Sequence, residues 1–396
     1  MQTDALVNEL TATLPSYPME ELKLLSKGLR QQGKLVFDFG TGDPTLPTWE
    51  PIRQAVSRNI PEVSQYPSVL GSDELRAAHG DYLQRRFKLA INDDLAILPA
   101  QGCKEAIFHM ALSLVGRAGG RRKILYPDPG YPVYRSSALF AGGIPCPITL
   151  QPEDNYLLKP WRLPREQTEG CAALWVNYPH NPTGALADEA YWRQLLAWCH
   201  QEDVILLADD CYVDLYDPVL DQGSSGLRPM TPLCFSHDRV VAFMSLSKRS
   251  GLTGYRAGFM AGDARILKPH ARARANFGLG IPSFIQAGAV SAWGDDTHVE
   301  VRKKIFAERM QLAGTALMEW GLLEAIPQAT FYLWCRVPAS AKGDDLAFCR
   351  RLAQEGIIAS PSRWLSEGIS GYFRLALVPD SEGIRQALPL LKRCLL

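Results

Sequence analysis

Several features are scarce or missing in these 396 residues, and each absence removes a class of protein. There is no net charge: Lys+Arg and Asp+Glu both number 42, and no basic block stands out. Attraction to nucleic acid or to an anionic membrane therefore has no electrostatic basis. No apolar run approaches the length that crosses a bilayer. The stretch MQTDALVNELTATLPSYP carries acids at Asp4 and Glu9, with no basic start and no continuous apolar core, so it is not read as a secretory signal. The nine cysteines are odd in number, scattered and without a C-x-x-C pair. That pattern supports neither a disulfide framework nor a zinc site, and fits reduced thiols in a cytoplasm. H-E-x-x-H, the P-loop lysine motif and G-x-G-x-x-G are missing too, and no metal is expected. Internal repeats and low-complexity tracts are also lacking.

What is present is an ordered alternation. The chain is too long for one small core, so a large domain with a smaller one is the natural expectation. Apolar runs at Leu95–Leu98, Lys123–Tyr126, Cys171–Val176, Val204–Ala208 and Val240–Met244 each lead into a loop of small or polar residues. A helical pattern follows most of them. Strands alternating with helices predict an α/β fold with a mostly parallel sheet covered on both faces. Every polar cluster then lies just past a strand, where open α/β sheets bind ligands, so the clusters converge on one sheet edge. After Gly262 the pattern changes. Phe306, Met310, Ala313, Leu317 and Trp320 mark a long amphipathic helix whose stripe reads as core. Strand-like Thr330–Trp334 and Tyr372–Leu377 frame a helical Leu346–Glu355, as in a separate α+β domain. Near the start, Met19–Leu29 reads as a helix and Lys34–Phe39 as a strand, and Ser72-Asp73-Glu74-Leu75 reads as a helix start. Asp217–Pro232, rich in Gly, Ser and Pro, reads as a surface loop.

The chemistry centres on Ser245–Gly258, SLSKRSGLTGYRAG. Lys248 stands between hydroxyls just past a strand, with Arg256 following, which suits a Schiff-base lysine beside a phosphate clamp. Pyridoxal phosphate needs that pairing. Its ring nitrogen calls for a buried carboxylate, which Asp209 at a strand end supplies, although Asp210 competes and a helix cap is the plainer reading. Asn181 and Tyr212 carry groups suited to the ring hydroxyl, and Tyr131 in PDPGYP suits stacking on the ring. Ser245, Ser247, Arg256 and the Gly102-Cys103-Lys104 turn suit the phosphate. Arg374, flanked by apolar strand residues, suits a substrate carboxylate, though a structural ion pair explains it equally. The glycine-rich loop around Gly42 reads as a turn or as a close approach of backbone to ligand. Tyr66, taken alone, is a half-buried loop aromatic. Arg249 and Lys104 are open between solvent and a second substrate carboxylate.

The ordered set NYPHNPTG, ADDCY and SLSKRSGLTGYRAGF resembles the fold-type I pyridoxal-phosphate-dependent aminotransferases of class I/II, over nearly the whole chain from Gly42 to Arg374. The resemblance implies an aspartate aminotransferase-like architecture with a seven-stranded-type sheet. It divides the chain into an N-terminal segment, 1–45, joining the small domain, a large cofactor-binding domain, 46–290, and a small C-terminal domain, 291–396. It implies that Lys248 binds the cofactor and shuttles the proton, that Asp209 pairs with the ring nitrogen, and that Asn181 and Tyr212 hold the ring oxygen. Tyr131 would stack, Ser245, Ser247, Arg256 and the amides of 102–104 would hold phosphate, and Arg374 with the Gly42 backbone would hold the α-carboxylate. Tyr66 would reach the phosphate of a neighbouring subunit, which implies a homodimer with shared sites. Within the group, SLSKRS with G-x-R-x-G-F-x-A-G-D, YFRLALV and the Tyr17–Leu22 start look most like N-succinyl-L,L-diaminopimelate aminotransferases. Gly251, Thr330 following alanine, and Ser362 depart from that pattern on the substrate side. The expected reaction is transamination, with N-succinyl-L,L-diaminopimelate and 2-oxoglutarate, in lysine biosynthesis, as the first choice of substrates. A lyase of the same fold, an aminotransferase for another amino acid and a low-turnover regulatory protein are the alternatives.

Overall fold

The computed structural model describes residues 6–12, 18–222 and 227–395. Asp4, Tyr17 and the centre of the Gly/Ser-rich loop at 223–226 lie outside them. In chain order the strands are β1 (Phe37–Asp38), β2 (Leu95–Ala100), β3 (Lys123–Asp128), β4 (Ile144–Thr149), β5 (Cys171–Val176), β6 (Ile205–Asp209), β7 (Val240–Ser245), β8 (Gly258–Asp263), β9 (Tyr332–Arg336), β10 (Ile357–Ile358), β11 (Ser360–Pro361) and β12 (Tyr372–Ala376). Seven of them form one sheet in the order β2-β8-β7-β6-β5-β3-β4. Its pairings are parallel except that β8 runs antiparallel to both β2 and β7.

The sheet follows from its sequence. Every residue of β5, β6 and β7 is buried, as an apolar run covered on both faces requires. Alternation then sorts side chains between two cores. Leu174, Val176, Leu206, Ala208, Val240 and Ala242 pack on one face with Trp192 and Trp293. Ala173, Trp175, Ile205, Leu207, Val241 and Phe243 pack on the other with Ile107, Met110 and Tyr134. Each large side chain so buried stabilises the fold by roughly 1.5–3 kcal/mol. Helix starts are capped locally. Ser72 accepts the Leu75 N–H at 3.2 Å to begin Asp73–Phe87, and Asp188 accepts the Tyr191 N–H at 2.8 Å to begin Glu189–Gln201.

A three-stranded sheet, β11-β12-β9, belongs to a third core with Phe348, Leu352 and the helix Thr297–Glu319. From that helix Phe306, Met310, Ala313 and Leu317 are buried, as the spacing predicts. β1 pairs in parallel with β10, joining the N-terminal segment to the C-terminal part of the chain.

The structure departs from the sequence expectations in four places. β4 reads poorly because IPCPIT holds two prolines, which an edge strand tolerates and a central one does not. β8, GFMAGD, is weakened by its glycines, Gly258 and Gly262. The run Lys34–Phe39 yields only two paired residues, since the Asp38 carboxylate accepts the N–H groups of Gly40 and Thr41 at 3.0 Å each and turns the chain. The expected loop after Asp217 also begins with a short helical turn, Pro218–Asp221.

Candidate active site

The parallel strands end on one edge, and β8, running the other way, begins there. A cavity of about 520 Å³ opens at that edge. Its wall includes Gly42, Cys103, Lys104, Tyr131, Asn181, Asp209, Tyr212, Ser245, Ser247, Lys248, Arg256 and Arg374. Strand ends explain the convergence: Asn181 follows β5, Asp209 ends β6, Ser245 ends β7 and Arg256 leads into β8.

Lys248 donates from Nζ to the Gly42 carbonyl and lies 5.7 Å from the Phe331 ring centre. Asp209 is only 5 % exposed. Its Oδ2 accepts from Tyr134 Oη at 2.7 Å, and Oδ1 accepts from the Cys211 N–H at 3.3 Å. Burial raises its carboxyl above the ordinary range, while Cys211, Tyr134 and the charge of Lys248 act against that rise. Asn177 ties β5 to β6: its Nδ2 donates to the Asp209 carbonyl at 2.6 Å and its Oδ1 accepts the Asn181 N–H at 2.9 Å. Arg374 donates from Nη1 to Asn181 Oδ1 at 3.0 Å and from Nη2 to the Gly40 carbonyl at 2.9 Å, while its buried Nε has no acceptor among the described residues.

At the other end of the cavity the helix Cys103–Leu114 starts without a side-chain cap, and a helix start is the end that favours an anion. Gly102 precedes it at φ +82°, and any Cβ there would collide with the Arg256 guanidinium. Arg256 is held by Nη1 donating to the Thr253 carbonyl at 2.8 Å. Ser245 Oγ accepts the Ser247 N–H at 3.1 Å, leaving its own hydrogen to donate elsewhere.

These residues fit pyridoxal 5'-phosphate. A buried carboxyl with no cation in hydrogen-bond contact among the described residues suits a pyridinium, and a bare glycine under a guanidinium beside a helix start suits a phosphate. Between them stands an amine.

Gly102 sits just behind the wall against Arg256, and three further candidates fall outside the cavity. Arg249, 3 % exposed, is ion-paired with Asp214 at 2.9 Å and with Asp296, so it is not placed to meet a substrate carboxylate. Asp210 is buried and does not line the cavity, whereas Asp209 does. Tyr66 is not half-buried: its relative exposure is 102 % and it is not among the residues of this wall. The departures noted on the substrate side also find structural reasons. Gly251 has φ +71° and the Arg302 guanidinium fills the space of its missing side chain. The Ser362 hydroxyl and the Arg363 N–H both donate to buried Asp345.

Sequence reasoning passed over Tyr332, Trp364, Leu365 and Tyr134. The first three line the cavity, and Tyr134 supports Asp209 from behind. Tyr332 reads as an ordinary strand aromatic, and nothing in its spacing marks it.

Residues 34–390 match the family model for aminotransferase class I and II, and the chain belongs to that family. It is an enzyme of the aminotransferase type, with the fold-type I architecture and pyridoxal-phosphate dependence of the family. Over 383 residues, 96 % of either chain, it is 32 % identical to an LL-diaminopimelate aminotransferase of Aquifex aeolicus. It superposes on the crystal structure of an aminotransferase from Neisseria meningitidis with TM-score 0.85 at 28 % identity, covering 98 % of this chain and 100 % of that one. A probable N-succinyldiaminopimelate aminotransferase from Thermus thermophilus gives TM-score 0.84 at 26 % identity, covering 95 % and 99 %. Among the described residues no helix is long and apolar enough to cross a membrane.

Proposed function

We propose that this enzyme moves the amino group between L,L-diaminopimelate and 2-oxoglutarate. The observation that carries the transfer is one cavity wall holding the amine of Lys248, the carboxyl of Asp209 and the guanidinium of Arg374. The substrate rests on the Aquifex aeolicus relative, which matches across 96 % of both chains and is named for unmodified diaminopimelate. That replaces the succinylated compound as the first choice. The residues themselves leave the succinylated compound open, and the Thermus thermophilus likeness keeps it in the test.

When bound, pyridoxal phosphate supplies the electron sink for the α-carbon. The chain's residues do the rest. Lys248 Nζ would bind the cofactor and then carry the proton from the substrate's α-carbon to the cofactor's aldehyde carbon, and back in the return half-reaction. Asp209 holds the ring nitrogen protonated. Asn181 and Tyr212 hold the ring oxygen, and Tyr131 covers the ring face. Ser245, Ser247, Arg256 and the N–H groups of 102–104 hold the phosphate. Arg374 takes the α-carboxylate of donor and acceptor alike through its guanidinium, with the Gly42 backbone beside it.

The same reading divides the chain at 45 and 290, places the protein in a cytoplasm, and makes it a homodimer in which Tyr66 serves the neighbouring subunit. Full exposure of Tyr66, with Ile60, Val63 and Leu70 also exposed, supports that last point. Sedimentation of the purified protein at twice the chain mass is the expected result.

The test of function is a half-reaction followed by cofactor absorbance. L,L-diaminopimelate, its N-succinyl derivative, glutamate and other amino acids are added singly without acceptor. Conversion by L,L-diaminopimelate and by glutamate is expected. Conversion by the succinylated compound alone would move the substrate assignment, and conversion by no donor would overturn the reading.

A further inference from the structure

Tyr332 is 2 % exposed, and its hydroxyl lies 2.9 Å from that of Tyr212. A phenylalanine would fill the same apolar cluster with Leu215, Phe306 and Phe331. The hydroxyl is therefore what needs a reason. Three other features fix it in place. Its ring sits beneath the Arg374 guanidinium, 4.4 Å from the ring centre. Only a glycine at position 42 leaves room for its oxygen, because a Cβ there would overlap it. Two residues before it, Thr330 stands at φ +65°, a left-handed conformation costly for a β-branched side chain. That backbone is held by the Thr330 N–H donating to the Leu215 carbonyl at 2.7 Å and by its hydroxyl accepting the Tyr332 N–H at 3.1 Å.

Of two paired phenols, one donates and the other accepts. With Tyr332 donating, the Tyr212 hydrogen is left to point into the cavity, and Tyr212 becomes the stronger donor because hydrogen bonds in series polarise one another. We infer that Tyr332 is a positioning residue acting through Tyr212: its hydroxyl donates to the Tyr212 oxygen and turns the Tyr212 O–H onto the ring oxygen of the cofactor. The inference rests on the role proposed above for Tyr212.

A donor on the ring oxygen stabilises its negative charge once the Lys248–cofactor linkage loses its proton. Removing the donor therefore raises the pH at which that proton leaves. The experiment is a spectrophotometric pH titration of the holoenzyme and of Tyr332→Phe, Tyr212→Phe and the double variant. The Phe variant at 332 keeps the ring under Arg374. Tyr332→Phe is expected to raise the midpoint by about half a pH unit, a fraction of a hydrogen bond. Tyr212→Phe should raise it further, and the double variant should match Tyr212→Phe alone. An unmoved or lowered midpoint in Tyr332→Phe, or an undiminished extra shift in the double variant, overturns the inference while leaving Tyr212 in its role. No shift in Tyr212→Phe overturns both.

Discussion

Lys248 and Gly42 stand 206 positions apart in the chain, and the amine of one donates to the carbonyl of the other. The lysine comes off the end of β7 in the large sheet, while Gly42 follows β1, which pairs with β10. Closing the site thus depends on the N-terminal segment lying across it. Gly42 also has no space for a Cβ, because the Tyr332 hydroxyl occupies it. Gly42→Ala is expected to lower kcat/KM by about tenfold or more while the melting temperature falls little, since one side-chain displacement near the reacting groups costs more in geometry than in folding. Steady-state kinetics beside thermal unfolding separates the two.

Arg374 is assigned to the α-carboxylate, which donor and acceptor share. Arg374→Lys is expected to reduce kcat/KM on the order of a hundredfold for both half-reactions alike, since an ammonium cannot reproduce the fork of a guanidinium. A loss confined to one half-reaction would contradict the assignment.

Asp209 shows how function costs stability. Burial raises its carboxyl in the cofactor-free fold, so the folded chain holds this proton to higher pH than the unfolded chain does. Its contribution to stability is full below the unfolded value of about 4 and is lost as pH rises through the higher folded value. Asp209→Asn should therefore flatten the decline in cofactor-free stability above about pH 4, leaving the variant at least as stable near neutrality. Activity should fall by on the order of a thousandfold, since the ring nitrogen loses its counter-charge. Urea unfolding across pH, with and without cofactor, checks both halves.

Asp214 behaves in the opposite sense. Burial pushes its carboxyl up, but Arg86 and Arg249 beside it, with a hydrogen bond from Tyr82 at 2.8 Å, outweigh that and hold it below the ordinary range. Its stabilisation is present above about pH 4 and is lost as pH falls through the lower folded value. Asp214→Asn leaves two guanidiniums buried without this partner, and a loss of about 3–5 kcal/mol is expected at neutral pH, shrinking in acid. Denaturant midpoints at neutral and acidic pH measure it.

The glycine at 251 has a structural reason that its neighbour at 254 lacks. Gly251→Ala meets both a positive φ and the Arg302 guanidinium, whereas a Cβ on Gly254 meets nothing. The first substitution is expected to cost about 1–3 kcal/mol and the second within about 0.5 kcal/mol of nothing. Chemical unfolding of the two variants side by side is the measurement.

Much of this arrangement is legible in the sequence because buried parallel strands are written as unbroken apolar runs. Cys171–Val176 appears as a strand with the same limits in both views, and Lys248, Asp209 and Asn181 lie where the strand ends put them. Other parts are not legible for physical reasons. Pro145 and Pro147 disguise β4, whose edge position spares them the hydrogen bonds they cannot make. Arg249 sits beside Lys248 in sequence, yet its own buried guanidinium pairs with Asp214 and Asp296, and only their packing reveals that. Tyr332 is hidden because a tyrosine in a strand looks the same whether its hydroxyl meets water or another phenol.

The central claim is that Lys248 carries the cofactor. Reduction of the holoenzyme with borohydride, followed by digestion and mass spectrometry, tests it most directly. The account predicts that the reduced cofactor is found on the peptide containing Lys248 and that Lys248→Ala carries none. A label on Lys104 or any other lysine, or a label that survives in Lys248→Ala, would contradict it.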